Sequence, residues 1–206
     1  MIFEGDQFIN KSKLHPRRPG VVRIDVALVL QALGVATIAP SIYSFGYCIV
    51  VVMMFSVSAF HHWLPDASWH YRLDRSMIYL LVAGTTLPYV PQILFLDKVL
   101  GLWLLFFATV AGMLLKACGV AMQKGGWGTL LYLMVGSISV YVMLGVHELL
   151  GTTWALWFWG SVAGYVISMV IYNKSLPNMR WHRVAQHLTL VLPVTIGLWL
   201  PVFYLR

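Results

Sequence analysis

Charge is what this 206-residue chain has least of: 10% of its residues are Asp, Glu, Lys or Arg, where a soluble domain carries roughly a quarter. Set against 60% hydrophobic residues, that shortage excludes an ordinary water-soluble domain and makes lipid the main solvent. Cysteine is nearly absent. Cys48 and Cys118 are the only two; they lie within or at the ends of apolar runs, give no disulfide framework, and suit packing. Alternation of polar and apolar residues is missing too, which excludes a spanning β-barrel. Lipid leaves backbone N–H and C=O groups without partners, so the spanning elements must be helices. The last apolar run has no Lys, which excludes a retinal Schiff base there. No carboxylate falls at mid-membrane in the later spans, which argues against an ion or proton transporter. No basic helix or aromatic-interleaved basic patch stands apart from the apolar runs, so a nucleic-acid partner is not expected. The first 20 residues are polar and basic, and no cleaved leader is expected. There is no internal repeat and no low-complexity tract.

What is present is a series of apolar runs. A spanning helix needs about 20 residues, and seven runs of about that length can be drawn: 24–43, 47–64, 75–95, 97–117, 128–147, 153–173 and 184–205. The expected fold is an all-α membrane protein. A seven-transmembrane helical bundle occupies residues 24–206, preceded by a basic cytoplasmic segment, residues 1–23. Seven crossings put Lys11, Lys13, Arg17, Arg18, Arg23, Arg72, Arg75, Lys116, Lys124, Lys174, Arg180 and Arg183 on one side. Lys98 and Arg206 fall on the other, and the two sets account for all 14 basic residues. Basic loops stay cytoplasmic, so the N-terminus is expected inside and the C-terminus outside. The expected location is the plasma (inner) membrane, with anionic inner-leaflet lipids drawing the net charge of +7. Pro88, Pro91, Pro193 and Pro201 each remove an N–H and should bend their helices. Trp154, Trp157 and Trp159 on one side, and Trp69, Trp127 and Trp181 on the other, fit interfacial belts. The stretch "GSVAG", Gly160 to Gly164, offers a small-xxx-small face for close helix approach, or is a chance pair in a glycine-rich chain.

Ionisable groups at membrane depth are costly, which makes them functional candidates. "SVSAFHHWLPDASWHYRLD", residues 56–74, joins the second run to the third. On this topology Ser58, His62, Asp74, His182 and His187 all fall at the cytoplasmic end of the bundle, from three helices. Ser58 and His62 are a four-residue step apart, within about 40° on one helical face, while His61 is turned about 100° away. Imidazole is the commonest zinc ligand, and a catalytic zinc keeps three protein ligands. Asp74 can ligate a metal or accept a hydrogen bond from its water. The plain alternative is histidines that snorkel at the interface. For His15 in the polar tail, His70 in a loop and His147 beside Glu148 the plain alternative is preferred. Asp25, near the inner end of the first span, is the nearest other acid and can pair with Arg23 or Arg183.

"SAFHH" followed by "YRLDRSMIYLLVAGTTLPY" resembles the hemolysin III family, within the progestin and adipoQ receptor superfamily, which also resembles alkaline ceramidases. The family pattern is S-x3-H ending the second span, an Asp before an "IYLLIAGT"-type run, and H-x3-H opening the seventh. Ser58, His62 and Asp74 match in place, His187 matches the last His, and the similarity covers roughly residues 45–206. The chain departs from the pattern at Arg183, which stands where the family has His. The nearest candidate is His182, a five-residue step from His187 and about 140° round an ideal helix. His182 shares a metal with His187 if a bulge intervenes or the helix starts late. Otherwise it does not bind, or His61 or Asp74 completes the shell. His182 is preferred.

The resemblance implies zinc (Zn2+) held by His62, His187 and His182 at the cytoplasmic side, with Asp74 and Ser58 as catalytic residues. The activity it implies is a metal-dependent hydrolase of a lipid amide or ester, with membrane lipids, ceramide-like ones among them, as partners. The alternative is a non-enzymatic receptor or a membrane-perturbing, pore-like protein in which any metal is structural.

Overall fold

The computed structural model describes residues 19–64, 68–119, 127–173 and 180–205, with the backbone alone at 68, 127–129, 172–173 and 180–183. Every regular element among the described residues is helical: α1 Pro19–Ala36, α2 Ile42–Trp63, α3 Ser68–Gly84, α4 Val90–Phe95, α5 Val99–Ala117, α6 Trp127–Met143, α7 Val146–Leu150, α8 Thr152–Asn173 and α9 Arg180–Tyr204. Six helical stretches are long and apolar enough to cross a membrane, namely α1, α2, the run Trp69–Phe95, α5, α8 and α9. The chain is therefore built as an integral membrane protein. The fifth apolar run yields a shorter apolar helix, Leu130–Met143.

Two breaks fall inside expected spans. The third is interrupted after Gly84 by a 3-10 turn, Leu87–Tyr89, before α4 resumes. Pro88 and Pro91 each remove an N–H, and between them Tyr89 leaves the helical region, at φ −104 and ψ 9. The Thr85 and Thr86 hydroxyls donate to the carbonyls of Val82 and Ala83, 2.7 and 2.8 Å, which keeps backbone oxygens satisfied there. Pro193 and Pro201, by contrast, lie inside an uninterrupted α9. The second break follows α6, where Gly145 takes φ +89. Only glycine adopts that conformation cheaply. Lys98 Nζ, at the start of α5, donates to the carbonyls of Tyr141 and Leu144 and so satisfies the end of α6.

Packing follows stripes of small and apolar residues. On α1 the buried positions are Val21, Asp25, Leu28, Ala32 and Val35, a repeat of fours and threes that makes one face. On α2 they include Tyr47, Val51, Met54, Phe55 and Ser58. α1 lies against α2 and α9, α2 against α3, and α8 against α9. Gly164 of α8 meets Pro193, where an added Cβ would stand 3.0 Å from the ring, and the Ser161 hydroxyl donates to Pro193 O at 3.2 Å. Gly160 has open space around it, so the close-approach face of α8 is Ser161, Gly164 and Ser168, and "GSVAG" contributes Ser161 and its last glycine but not its first. Trp154 is a core residue and not part of a belt: it is buried, its Nε1 donates to Tyr89 OH at 3.1 Å, and it stacks on Phe158. Trp157 and Trp159 are exposed on the bundle surface.

Candidate metal centre

The start of α9 brings His187 against the start of α1 and the end of α2. Its ring centre lies 5.2 Å from that of His62, with the planes at 75°. Two imidazoles sharing one tetrahedral zinc, with Zn–N of about 2.0–2.1 Å, have ring centres about 5.2 Å apart. The spacing of His62 and His187 is compatible with such a site, and equally with an edge-to-face ring contact. The two residues, 125 positions apart in the chain, are brought together by the packing of α2 and α9 through their apolar faces.

A cavity of about 20 Å³ sits among Ser58, His62, Asp74, Arg75, Gln186 and His187. That is room for one water-sized particle. Asp74 enters from α3, buried to 7% exposure, and its Oδ2 is 3.9 Å from the Nε of neighbouring Arg75. Ser58 enters from α2 with 1% exposure, and its Oγ has no hydrogen-bond partner. Ser58, His62, Asp74 and His187 thus converge at one end of the bundle. His182 lies on α9, which begins at Arg180, so the helix does not start late; its side chain, and that of Arg183, are outside the described residues. Among the described residues no three His, Cys, Asp or Glu side chains form a group with metal-holding geometry.

One participant differs from the sequence-based expectation. Asp25 pairs with neither Arg23, which is exposed, nor any other described arginine. Its Oδ1 lies 2.9 Å from Nδ1 of His187, and the residue is wholly buried. The Ser58 hydroxyl lies beside that carboxylate without reaching hydrogen-bond geometry, and Oδ2 is left without a partner. The signal that finds Asp25 is its place in the stripe of α1, where an apolar residue would be expected. His70 is also placed differently: it is in the first turn of α3, buried between Trp69 and Phe60, and not in a loop.

A second, larger depression of about 270 Å³ lies between α2 and α3 at the same end, lined by Ser56, Val57, Phe60, Trp69, His70 and Leu73. Phe60 and Trp69 are half exposed there. No family model and no solved structure matches this chain.

Proposed function

We propose that the chain is a hemolysin III-like membrane protein with a zinc site at the cytoplasmic end of the bundle, and that it hydrolyses a lipid amide or ester. The observation that carries this reading is the 5.2 Å spacing of the His62 and His187 rings, the value expected for two imidazoles on one tetrahedral ion. The donor chemistry agrees: two imidazoles, a carboxylate and an unpartnered hydroxyl surround a space for one small particle. His62 and His187 would hold the metal; His182 as third ligand rests on the family resemblance alone, because it stands a five-residue step from His187 on an uninterrupted helix. Zinc, when bound, would supply a Lewis acid and would lower the pKa of a water on it to about 7. Asp74 is placed to take a proton from the attacking water and return it to the leaving group. Ser58 Oγ, buried and unspent, is placed to donate to developing negative charge. The apolar depression beside the site suits a substrate whose tails stay in the bilayer, with a ceramide-like lipid as the guess from the family resemblance. We further infer seven crossings with the N-terminus cytoplasmic, which would put this site at the inner face of the plasma membrane.

The test is zinc content. Full-length protein purified in detergent should carry about one zinc by elemental analysis, and His62→Ala should lose it together with any hydrolysis of lipid amides. Zinc retained undiminished in His62→Ala would reject the site. One observation favours a second reading, a receptor or pore-like protein with a structural ion: the space at the site is only about 20 Å³. Bound zinc with no turnover of any lipid amide or ester would decide for that reading.

A further inference from the structure

Asp25 is the one acid in the buried stripe of α1, flanked there by Val21 and Leu28. A buried carboxylate is costly unless it is paired and hydrogen-bonded, and an apolar residue would fill the stripe at lower cost. What Asp25 does that an apolar residue cannot is bind His187. The contact is 2.9 Å, both groups are buried, and one carboxylate oxygen makes it. With the carboxylate ionised, it only accepts hydrogen bonds, and Nδ1 of His187 is then the donor. The ring is then held with its proton on Nδ1, and Nε2 is the nitrogen left with a lone pair. The His62 ring lies 5.2 Å away between centres, and both rings line the same small cavity.

We propose that Asp25 is the positioning residue of this site: it fixes His187 as the Nδ1–H tautomer and presents the Nε2 lone pair to the space shared with His62. Carboxylates that hold a metal-ligating imidazole in this way raise its basicity and fix its orientation, and their loss lowers metal affinity about 10–100-fold. The link to affinity rests on the zinc reading above; the tautomer does not.

The two are separated by measuring both. Full-length protein with 15N-labelled histidine, in lipid nanodiscs and stripped of metal, reports the proton position on His187 by NMR. The resonance is assigned by its absence in His187→Gln. Zinc affinity is measured on the same samples by chelator competition. In the wild type the proton should sit on Nδ1. In Asp25→Leu that preference should vanish and zinc affinity should fall 10–100-fold. Asp25→Asn keeps an acceptor oxygen, so it should keep the tautomer and lose less affinity, and it serves if Asp25→Leu does not fold. A wild-type ring protonated on Nε2, or on both nitrogens, overturns the proposal. So does an Asp25→Leu protein with unchanged tautomer and affinity, or an Asp25→Asn protein that loses the tautomer. If the wild type takes up no zinc, the metal reading fails, and the tautomer comparison still decides the role of Asp25.

Discussion

Ser58 is almost fully buried, and its hydroxyl has no hydrogen-bond partner. A buried unsatisfied hydroxyl costs roughly 1–3 kcal/mol, so beyond its place beside the Asp25 carboxylate it adds little to the fold. We expect Ser58→Ala to leave the melting temperature in detergent unchanged or slightly raised, while hydrolysis falls. A clear drop in melting temperature would mean that the hydroxyl supports the structure. The same logic separates what was legible at this scale from what was not. Ser58, His62 and Asp74 stand within one 17-residue stretch and carry a recognisable spacing. Asp25 and His187 come from opposite ends of the chain, and no local pattern names a partner so distant. Only the break in an otherwise apolar stripe marks Asp25 as unusual. Trp154 was misplaced for a related reason: its hydrogen-bond partner, Tyr89, lies 65 positions away in the chain, and nearness to a span's end says nothing of which face it occupies.

Helices in a membrane do not associate by the hydrophobic effect, because lipid tails are as apolar as leucine; close packing and hydrogen bonds hold them. The α8–α9 seam illustrates this. Gly164 leaves room for Pro193, and Ser161 and Ser168 donate across the seam to the carbonyls of Pro193 and Gln186 at 3.2 and 3.3 Å. Pro193, which a sequence reading expects to bend its helix, sits in continuous helix where Gly164 admits its ring. The seam matters to the site, because Gln186 and His187 are on the same turn of α9. A Gly164→Val side chain would overlap the proline ring and should cost about 1–3 kcal/mol. Gly160→Val meets open space and should be neutral or better, since valine is the better helix former. Thermal unfolding of both variants in detergent checks the pair. Equal melting temperatures would show that the seam is not close-packed at Gly164. Proline breaks one helix and not the other because Pro88 and Pro91 lie within three residues of each other, just after Thr85 and Thr86, where two hydroxyls already compete for backbone oxygens. Residue type alone does not reveal that difference.

The whole bundle constrains its own topology through α1 and α9. Asp25 touches His187, and six residues further along α1 Gln31 accepts a hydrogen bond from Thr195 at 3.0 Å. Both contacts advance in the same chain direction, so α1 and α9 run parallel. Parallel first and last helices need an even number of crossings before α9. α1, α2, the Trp69–Phe95 run, α5 and α8 supply five, so the segment between α5 and α8 has to supply the sixth. α6 has 17 residues, about 26 Å at 1.5 Å per residue, slightly short of a hydrocarbon core of about 30 Å. The turn at Gly145 and α7 extend it, and Lys98 satisfies the carbonyls where it ends. With α6 as the sixth, the proposed topology has seven crossings and the ends of the chain on opposite sides. The seven apolar runs of the sequence, and the division of its basic residues, point to the same count, whereas the fifth run is a helix that stops at Met143, short of the 128–147 drawn from its apolar length. We expect a fluorescent protein fused to the N-terminus to be bright in the cytoplasm, and alkaline phosphatase fused to the C-terminus to be active outside. We expect phosphatase placed in the α5–α6 connection to be inactive. An inactive C-terminal phosphatase would put both ends on one side. α9 could then not run parallel to α1, and the contact between Asp25 and His187, on which the site is built, would not exist.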